Sequence, residues 1–155
     1  MKYVLRAEVI TVVAICFVAI AATGAAADYI PPCQSVPADV SVISRLDDAP
    51  PSLVGALTAR VGEIVPVGGR FDSTDVVWTG KNRRLIFIWN RGTRWVVATE
   101  HGGLGYNDPI FVFESDEQQN KVELVREEIT FPPGVCLTAL RLIAAAPSPS
   151  TPEAK

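Results

Sequence analysis

The strongest constraint on the fold is a pair of apolar segments at the centre of the chain, Leu85–Trp89 and Trp95–Thr99. Both are rich in β-branched and aromatic residues, which favour strands, and Gly92 between them can supply the positive φ of a tight turn. We therefore predict a β-hairpin here. With Arg91 and Gly92 as its turn, Trp89 would lie opposite Arg94.

Both strands of this hairpin are apolar on both faces. A strand of that kind is expected at the centre of a sheet, where a second sheet or a helix covers each face. Other segments of β character, separated by glycine-rich, proline-rich or polar turns, should supply its neighbours. They are Val40–Ile43, Gly62–Val67, Val76–Trp78, Pro109–Glu114 and Lys121–Arg126.

One early helix is predicted after Pro51. Ser52 is a suitable N-cap, Leu53 and Leu57 recur at the spacing of one helix face, and Gly62 stands where a C-terminal cap belongs. Near the end of the chain, Val135–Ala145 is compatible with a closing strand or a short helix. The fold class expected is α+β: a small, mainly antiparallel β-sheet, sandwich-like or barrel-like, with one short helix and one disulfide.

The N-terminus has the layout of a secretory signal. Lys2 and Arg6 precede an apolar stretch, Val9–Ala22, and the small residues Ala25–Ala27 then form an A-x-A cleavage site. We predict that residues 1–27 are a signal peptide and that the protein is exported, either periplasmic or secreted. Membrane contact would then be limited to this segment before cleavage. The alternative is a retained membrane anchor, since the apolar stretch approaches the length that spans a bilayer.

Export changes the interpretation of the cysteines. Cys16 would leave with the signal peptide, so the mature chain keeps Cys33 and Cys136 in an oxidising compartment. One disulfide between them is the expected arrangement, and two free thiols or a shared metal are the alternatives. A metal site is not expected, because the chain has one histidine and no C-x-x-C spacing.

The mature chain is predicted to be one domain, residues 28–146, followed by a disordered tail, 147–155, of proline, serine and small residues. Removing the signal leaves 12 basic and 16 acidic side chains, a formal charge of about −4, which disfavours nucleic acid as a partner. The basic residues between Lys81 and Arg94 either pair with acidic residues elsewhere or form a patch for an anionic envelope partner.

The loop Thr99–Pro109 contains the residues most suggestive of catalysis. It holds Glu100, His101, Asp108 and three glycines, so His101 could act as a general base with Asp108 as its orienting group. The alternative is a glycine-rich connection between two strands. No nucleotide-binding glycine pattern is present, and no cofactor is expected.

A second set of residues could form a binding surface of aromatic faces and positive charge. It comprises Trp78, Trp89, Arg91, Arg94 and Trp95. Core packing is the alternative explanation for the tryptophans. Two functions follow: an exported binding or accessory module that contacts a protein or an envelope component, or a small hydrolase-like enzyme with its site in Thr99–Pro109. The binding module is preferred because, unlike an enzyme, it does not require a nucleophile or metal in a defined geometry.

Overall fold

The computed structural model describes residues 33–74, 81–116 and 121–145. These ranges contain five strands, two α-helices and a short 3-10 turn at Leu46–Asp48. In chain order they are β1 (Ser41–Ile43), α1 (Pro51–Val61), β2 (Arg83–Arg91), β3 (Arg94–His101), β4 (Asp108–Asp116), β5 (Lys121–Thr130) and α2 (Val135–Ala144). The predicted α+β fold with a mainly antiparallel sheet is confirmed.

The five strands form one antiparallel sheet in the order β1-β2-β3-β4-β5, so each strand pairs with its neighbours in sequence. One face packs on α1 through residues such as Leu53, Ile88 and Phe111. The other packs on α2 through Trp89 and Ile143. The central strands are thus apolar on both faces because each face is covered by a helix, which is one of the two arrangements that their sequence predicted.

The central hairpin forms between the predicted segments, but its turn lies one residue further along. Arg91 pairs with Arg94, which makes Gly92 and Thr93 the turn, and Trp89 therefore lies opposite Val96 instead of Arg94. Gly92 has φ 60°, the conformation for which glycine is favoured. A bulge between Leu85 and Phe87 shifts the register a second time.

Helix α1 begins at Pro51 and not after Ser52. Pro50 is the N-cap and Pro51 occupies the first turn, where its missing N–H leaves no hydrogen bond unmade. The helix ends at Val61, and Gly62 is its C-terminal cap, as predicted, with φ 79°. The Gly62–Val67 segment does not form a strand: Val65 makes a single bridge to Arg84.

Val135–Ala144 is a helix and not a closing strand, the other structure that its sequence allowed. Cys136 in its first turn is bonded to Cys33, with the two Cα atoms 5.6 Å apart and a sequence separation of 103. The predicted disulfide is therefore present. It fixes the start of the described chain to α2, where both cysteines pack against the core on that face of the sheet.

Several predictions fall outside the described residues. They concern the signal peptide, residues 1–27, the tail, residues 147–155, and Trp78 with its short strand. Within the described ranges, no helix is long and apolar enough to cross a membrane.

Candidate functional site

A row of ionisable residues crosses the sheet where β3 ends and β4 begins. Arg84 of β2 is the ladder partner of Glu100 of β3. Glu100 in turn lies opposite Asp108 of β4, because the pairs on either side are Ala98 with Ile110 and His101 with Asn107. The exposed fractions are 4% for Arg84, 2% for Glu100 and 0% for Asp108. Three ionisable side chains are thus buried side by side on one face of the sheet.

Glu100 is held from two sides. The Arg84 Nε donates to Glu100 Oε2 at 2.5 Å, and the Tyr106 hydroxyl donates to Glu100 Oε1. Arg84 is itself positioned by the Gly69 carbonyl oxygen, 3.3 Å from its Nη1, and by the Phe71 ring, whose centroid is 4.5 Å from the guanidinium carbon. Burial, together with the hydrogen bond to Glu100, raises the pKa of Tyr106, so its hydroxyl remains a donor.

Asp108 has none of these partners. Neither of its carboxyl oxygens has a hydrogen-bond partner, although the side chain is fully buried. Burial, reinforced by the negative charge of Glu100, raises the pKa of Asp108 to about 7. The side chain is therefore a neutral carboxylic acid over most of the acidic pH range.

His101 lies apart from these two carboxyl groups. It follows Glu100 in the strand, so its side chain points to the opposite face, where Asn82 Nδ2 is 3.3 Å from His101 Nε2. Burial and the nearby Arg83 lower the pKa of His101. The structure thus brings together Glu100 and Asp108 from the catalytic candidates, but does not bring Asp108 to His101 as its orienting group.

The loop that joins β3 to β4, Gly102–Asn107, is called the Leu104 loop below. Its base is fixed by two main-chain hydrogen bonds between His101 and Asn107, with N···O distances of 2.8 and 3.2 Å. Gly102 donates to the Asn82 carbonyl oxygen at 2.8 Å, and any Cβ here would collide with the main chain of Asp72. At the tip, Leu104 is 83% exposed.

The described members of the predicted aromatic and basic set, Trp89, Arg91, Arg94 and Trp95, do not share one exposed face. Trp89 is 1% exposed and stacks on Phe87 with their ring centroids 4.3 Å apart, on the α2 side of the sheet. Trp95 packs against the core on the α1 side and is only partly exposed. Their positions follow the core-packing alternative, because the central strands bury both faces.

The two arginines of that set also differ. Arg94 is 7% exposed, binds Glu114 through Nε at 2.7 Å, and donates to the carbonyl oxygens of Leu142 and Ala145 at the C-terminal end of α2. Arg91 is exposed and pairs with Asp39 at 2.7 Å. Arg94 therefore caps a helix, whereas Arg91 lies on the surface.

Sequence reasoning placed Arg84 only in a basic stretch and did not connect it to Glu100. The sequence signal for this contact was that Arg84 and Glu100 lie at similar distances from the hairpin turn, one on each strand. The bulge between Leu85 and Phe87 conceals it, because it displaces the register by one residue.

Comparisons with known proteins add no relatives: no family model, no curated protein and no solved structure matches the chain. Over residues 33–74, 81–116 and 121–145, no group of three His, Cys, Asp or Glu side chains is placed to hold a metal ion.

Proposed function

We propose that the protein is an exported binding module that inserts the Leu104 loop into an apolar pocket of a partner protein. The observation that carries the proposal is the contrast within this loop. Its tip is a leucine with 83% exposure, while its base is tied to a buried ionic network through Tyr106 and Glu100.

An exposed leucine on a flexible loop would not by itself indicate a binding site, since single exposed apolar residues are common. Here the loop is held before any partner arrives. Gly102 packs against the main chain of the 71–74 segment, and His101 and Asn107 close the base. Because less conformational entropy is lost on binding, a fixed loop gains affinity from each contact. Burying the leucine side chain contributes roughly 1.5–3 kcal/mol.

Other apolar side chains at this end of the sheet favour a protein over an anionic envelope component. Ile129, next to Pro109 in the ladder, is 65% exposed, and Phe131 just beyond it is 60% exposed. By contrast, most of the basic stretch is engaged within the molecule: Lys81 pairs with Glu63, and Arg84 with Glu100. The side chains that remain available for contact at this end of the sheet are apolar.

Export is part of the proposal, and the disulfide supports it because such bonds persist in oxidising compartments. The intact mass of the protein from its own host tests it. Cleavage after Ala27 predicts a protein whose first residue is Asp28 and whose Cys33 and Cys136 are oxidised, so that reduction adds two hydrogens. A full-length mass with free thiols would contradict export.

Site-specific photo-crosslinking tests the binding site. A benzophenone side chain at position 104, in the exported protein in its host, should give a discrete crosslinked species. The same group at Val42, which is 51% exposed on edge strand β1, is the matched control. Leu104→Asp, introduced with the benzophenone at Ile129, should abolish the product formed from position 129. Equal crosslinking from positions 104 and 42, or no effect of Leu104→Asp, would contradict the proposed site.

A further inference from the structure

The first two residues of β4, Asp108 and Pro109, form the only Asp–Pro peptide bond in the chain. Such a bond combines two chemical features. The aspartate carboxyl can reach its own main-chain carbonyl carbon through a five-membered ring, an intramolecular geometry of high effective concentration. The proline nitrogen is a tertiary amide with no N–H, and it becomes a good leaving group once it is protonated.

The carboxyl group at this bond is free to react. Asp108 is fully buried and no hydrogen bond holds either of its oxygens. Glu100, directly opposite, already accepts from Arg84 and Tyr106. A neutral Asp108 can supply both the proton that the leaving nitrogen needs and the oxygen that attacks.

The main chain at this bond is also oriented. Asn107 exchanges both of its main-chain hydrogen bonds with His101 of β3. In an antiparallel sheet, consecutive residues direct their main-chain N–H and C=O groups toward opposite neighbouring strands. The C=O of Asp108 therefore points toward its partner Thr130 in β5. A main-chain N–H on that side is suitably placed to stabilise negative charge developing on the carbonyl oxygen.

We propose that the folded protein cleaves its own chain at the Asp108–Pro109 peptide bond. The Asp108 carboxyl transfers its proton to the Pro109 nitrogen while its oxygen attacks the Asp108 main-chain carbonyl carbon. A C–O bond forms, the C–N bond breaks, and a five-membered cyclic anhydride remains at residue 108. Water then opens the anhydride to two carboxyl groups, so the net reaction consumes one water and involves no oxidation or reduction.

The two fragments remain joined. Cys33 lies in the first and Cys136 in the second, and the disulfide links them. Cleavage releases one end of the Leu104 loop, because Asp108 immediately follows that loop in the chain. The inference does not rest on the proposed binding function, and its test needs no partner.

The reaction should follow the protonation of Asp108. The ionisable groups that surround it are Glu100 and Arg84 in the same row and Tyr106 above it. On the same face of the sheet, the neighbouring strand β5 carries Glu128, which Arg126 and Arg141 of α2 neutralise. Glu100 is therefore the charge that most favours the proton on Asp108, and we expect cleavage to slow as pH rises through about 7.

Mass spectrometry of the purified, disulfide-bonded chain during incubation at about pH 6, below the pKa of Asp108, tests the proposal. Before reduction the mass should rise by one water, and after reduction two fragments ending at Asp108 and beginning at Pro109 should appear. The same chain unfolded in urea at the same pH should cleave at least about tenfold more slowly. An unchanged mass in the folded protein, or equal rates in the folded and unfolded chains, would overturn the proposal.

Two variants separate chemistry from folding. Asp108→Asn preserves the shape of the neutral acid and should abolish cleavage; Pro109→Ala keeps the carboxyl but should slow cleavage by at least about tenfold, because the leaving nitrogen is a secondary amide. Native circular dichroism must be unchanged in both for the comparison to count. If Asp108→Asn cleaves at the wild-type rate while folded, the carboxyl is not the nucleophile and the proposal fails.

Discussion

Glu100 and Asp108 face each other across β3 and β4, yet only Glu100 has hydrogen-bond donors. Arg84 and Tyr106 both donate to it, whereas the oxygens of Asp108 have no partner. Two adjacent buried carboxyl groups cannot both carry charge without a large penalty, so the proton of the pair resides on Asp108. Their environments, and not their residue types, thus assign them different roles.

The first prediction concerns stability and pH. Because the pKa of Asp108 is about 7 in the folded protein, against 3.8 for an unperturbed aspartate, the folded state binds more protons between these values. Stability from this group is fully present below about pH 4 and is lost as pH rises through about 7. The full difference is at most about 4 kcal/mol. Urea unfolding at a series of pH values measures it.

Asp108→Asn is the matched control, since its amide does not titrate. Relative to this variant, the wild-type free energy of unfolding should fall as pH rises from 4 to 7 and should become constant above that range. If the two curves stay parallel throughout, Asp108 is not a buried neutral acid.

The second prediction concerns Arg94, which binds Glu114 and the last carbonyl oxygens of α2. Arg94→Ala removes a cation from the negative end of the helix dipole and leaves Glu114 without its partner. We expect the free energy of unfolding to fall by about 2–4 kcal/mol. Arg91→Ala removes an exposed pair with Asp39 and should change it by less than about 1 kcal/mol. Equal effects of the two substitutions on thermal unfolding would contradict the capping role.

The sequence predicted the central hairpin well because its segments are long, apolar and separated by Gly92, so local preference and burial agree. It also predicted the neighbouring pair β4 and β5, because two segments of β character flank a polar loop. It did not predict the register. The turn consists of Gly92 and Thr93, one residue later than predicted, and the bulge after Leu85 adds a second shift. Turn type and bulges depend on tertiary contacts.

The candidate site was only partly predictable for a related reason. Glu100 and Asp108 were visible as acidic residues near a glycine-rich loop, but their placement on one face depends on the β3–β4 register. His101, next to Glu100 in sequence, lies on the other face because side chains alternate along a strand. Arg84 enters the site from a strand 16 residues away, and periodicity carries no information on that contact.

The third prediction concerns the disulfide. Cys33 and Cys136, at a sequence separation of 103, close a long loop, and replacing both with serine frees the unfolded chain from that constraint. On chain entropy alone, the free energy of unfolding should fall by up to about 4.7 kcal/mol. Urea unfolding of the oxidised protein, the reduced protein and the Cys33→Ser/Cys136→Ser variant measures the change. If reduction leaves the unfolding midpoint unchanged, the bond does not stabilise the domain.

The last prediction separates the tip of the Leu104 loop from its base. Tyr106→Phe removes the hydroxyl that donates to Glu100 Oε1 and leaves a buried carboxylate oxygen unpaired. The free energy of unfolding should fall by about 1–3 kcal/mol. Crosslinking from position 104 should fall as well, since the loop loses the contact that holds it in place. Leu104→Asp changes an exposed side chain, so stability should stay within about 0.5 kcal/mol of the wild type.

Comparing the two variants decides whether the loop must be held in place in order to bind. If rigidity matters, Tyr106→Phe reduces binding although the leucine is still present, and Leu104→Asp abolishes binding although the fold is intact. If Tyr106→Phe lowers stability but leaves crosslinking from position 104 at the wild-type level, the buried network stabilises the sheet without organising the loop. The leucine alone would then account for recognition.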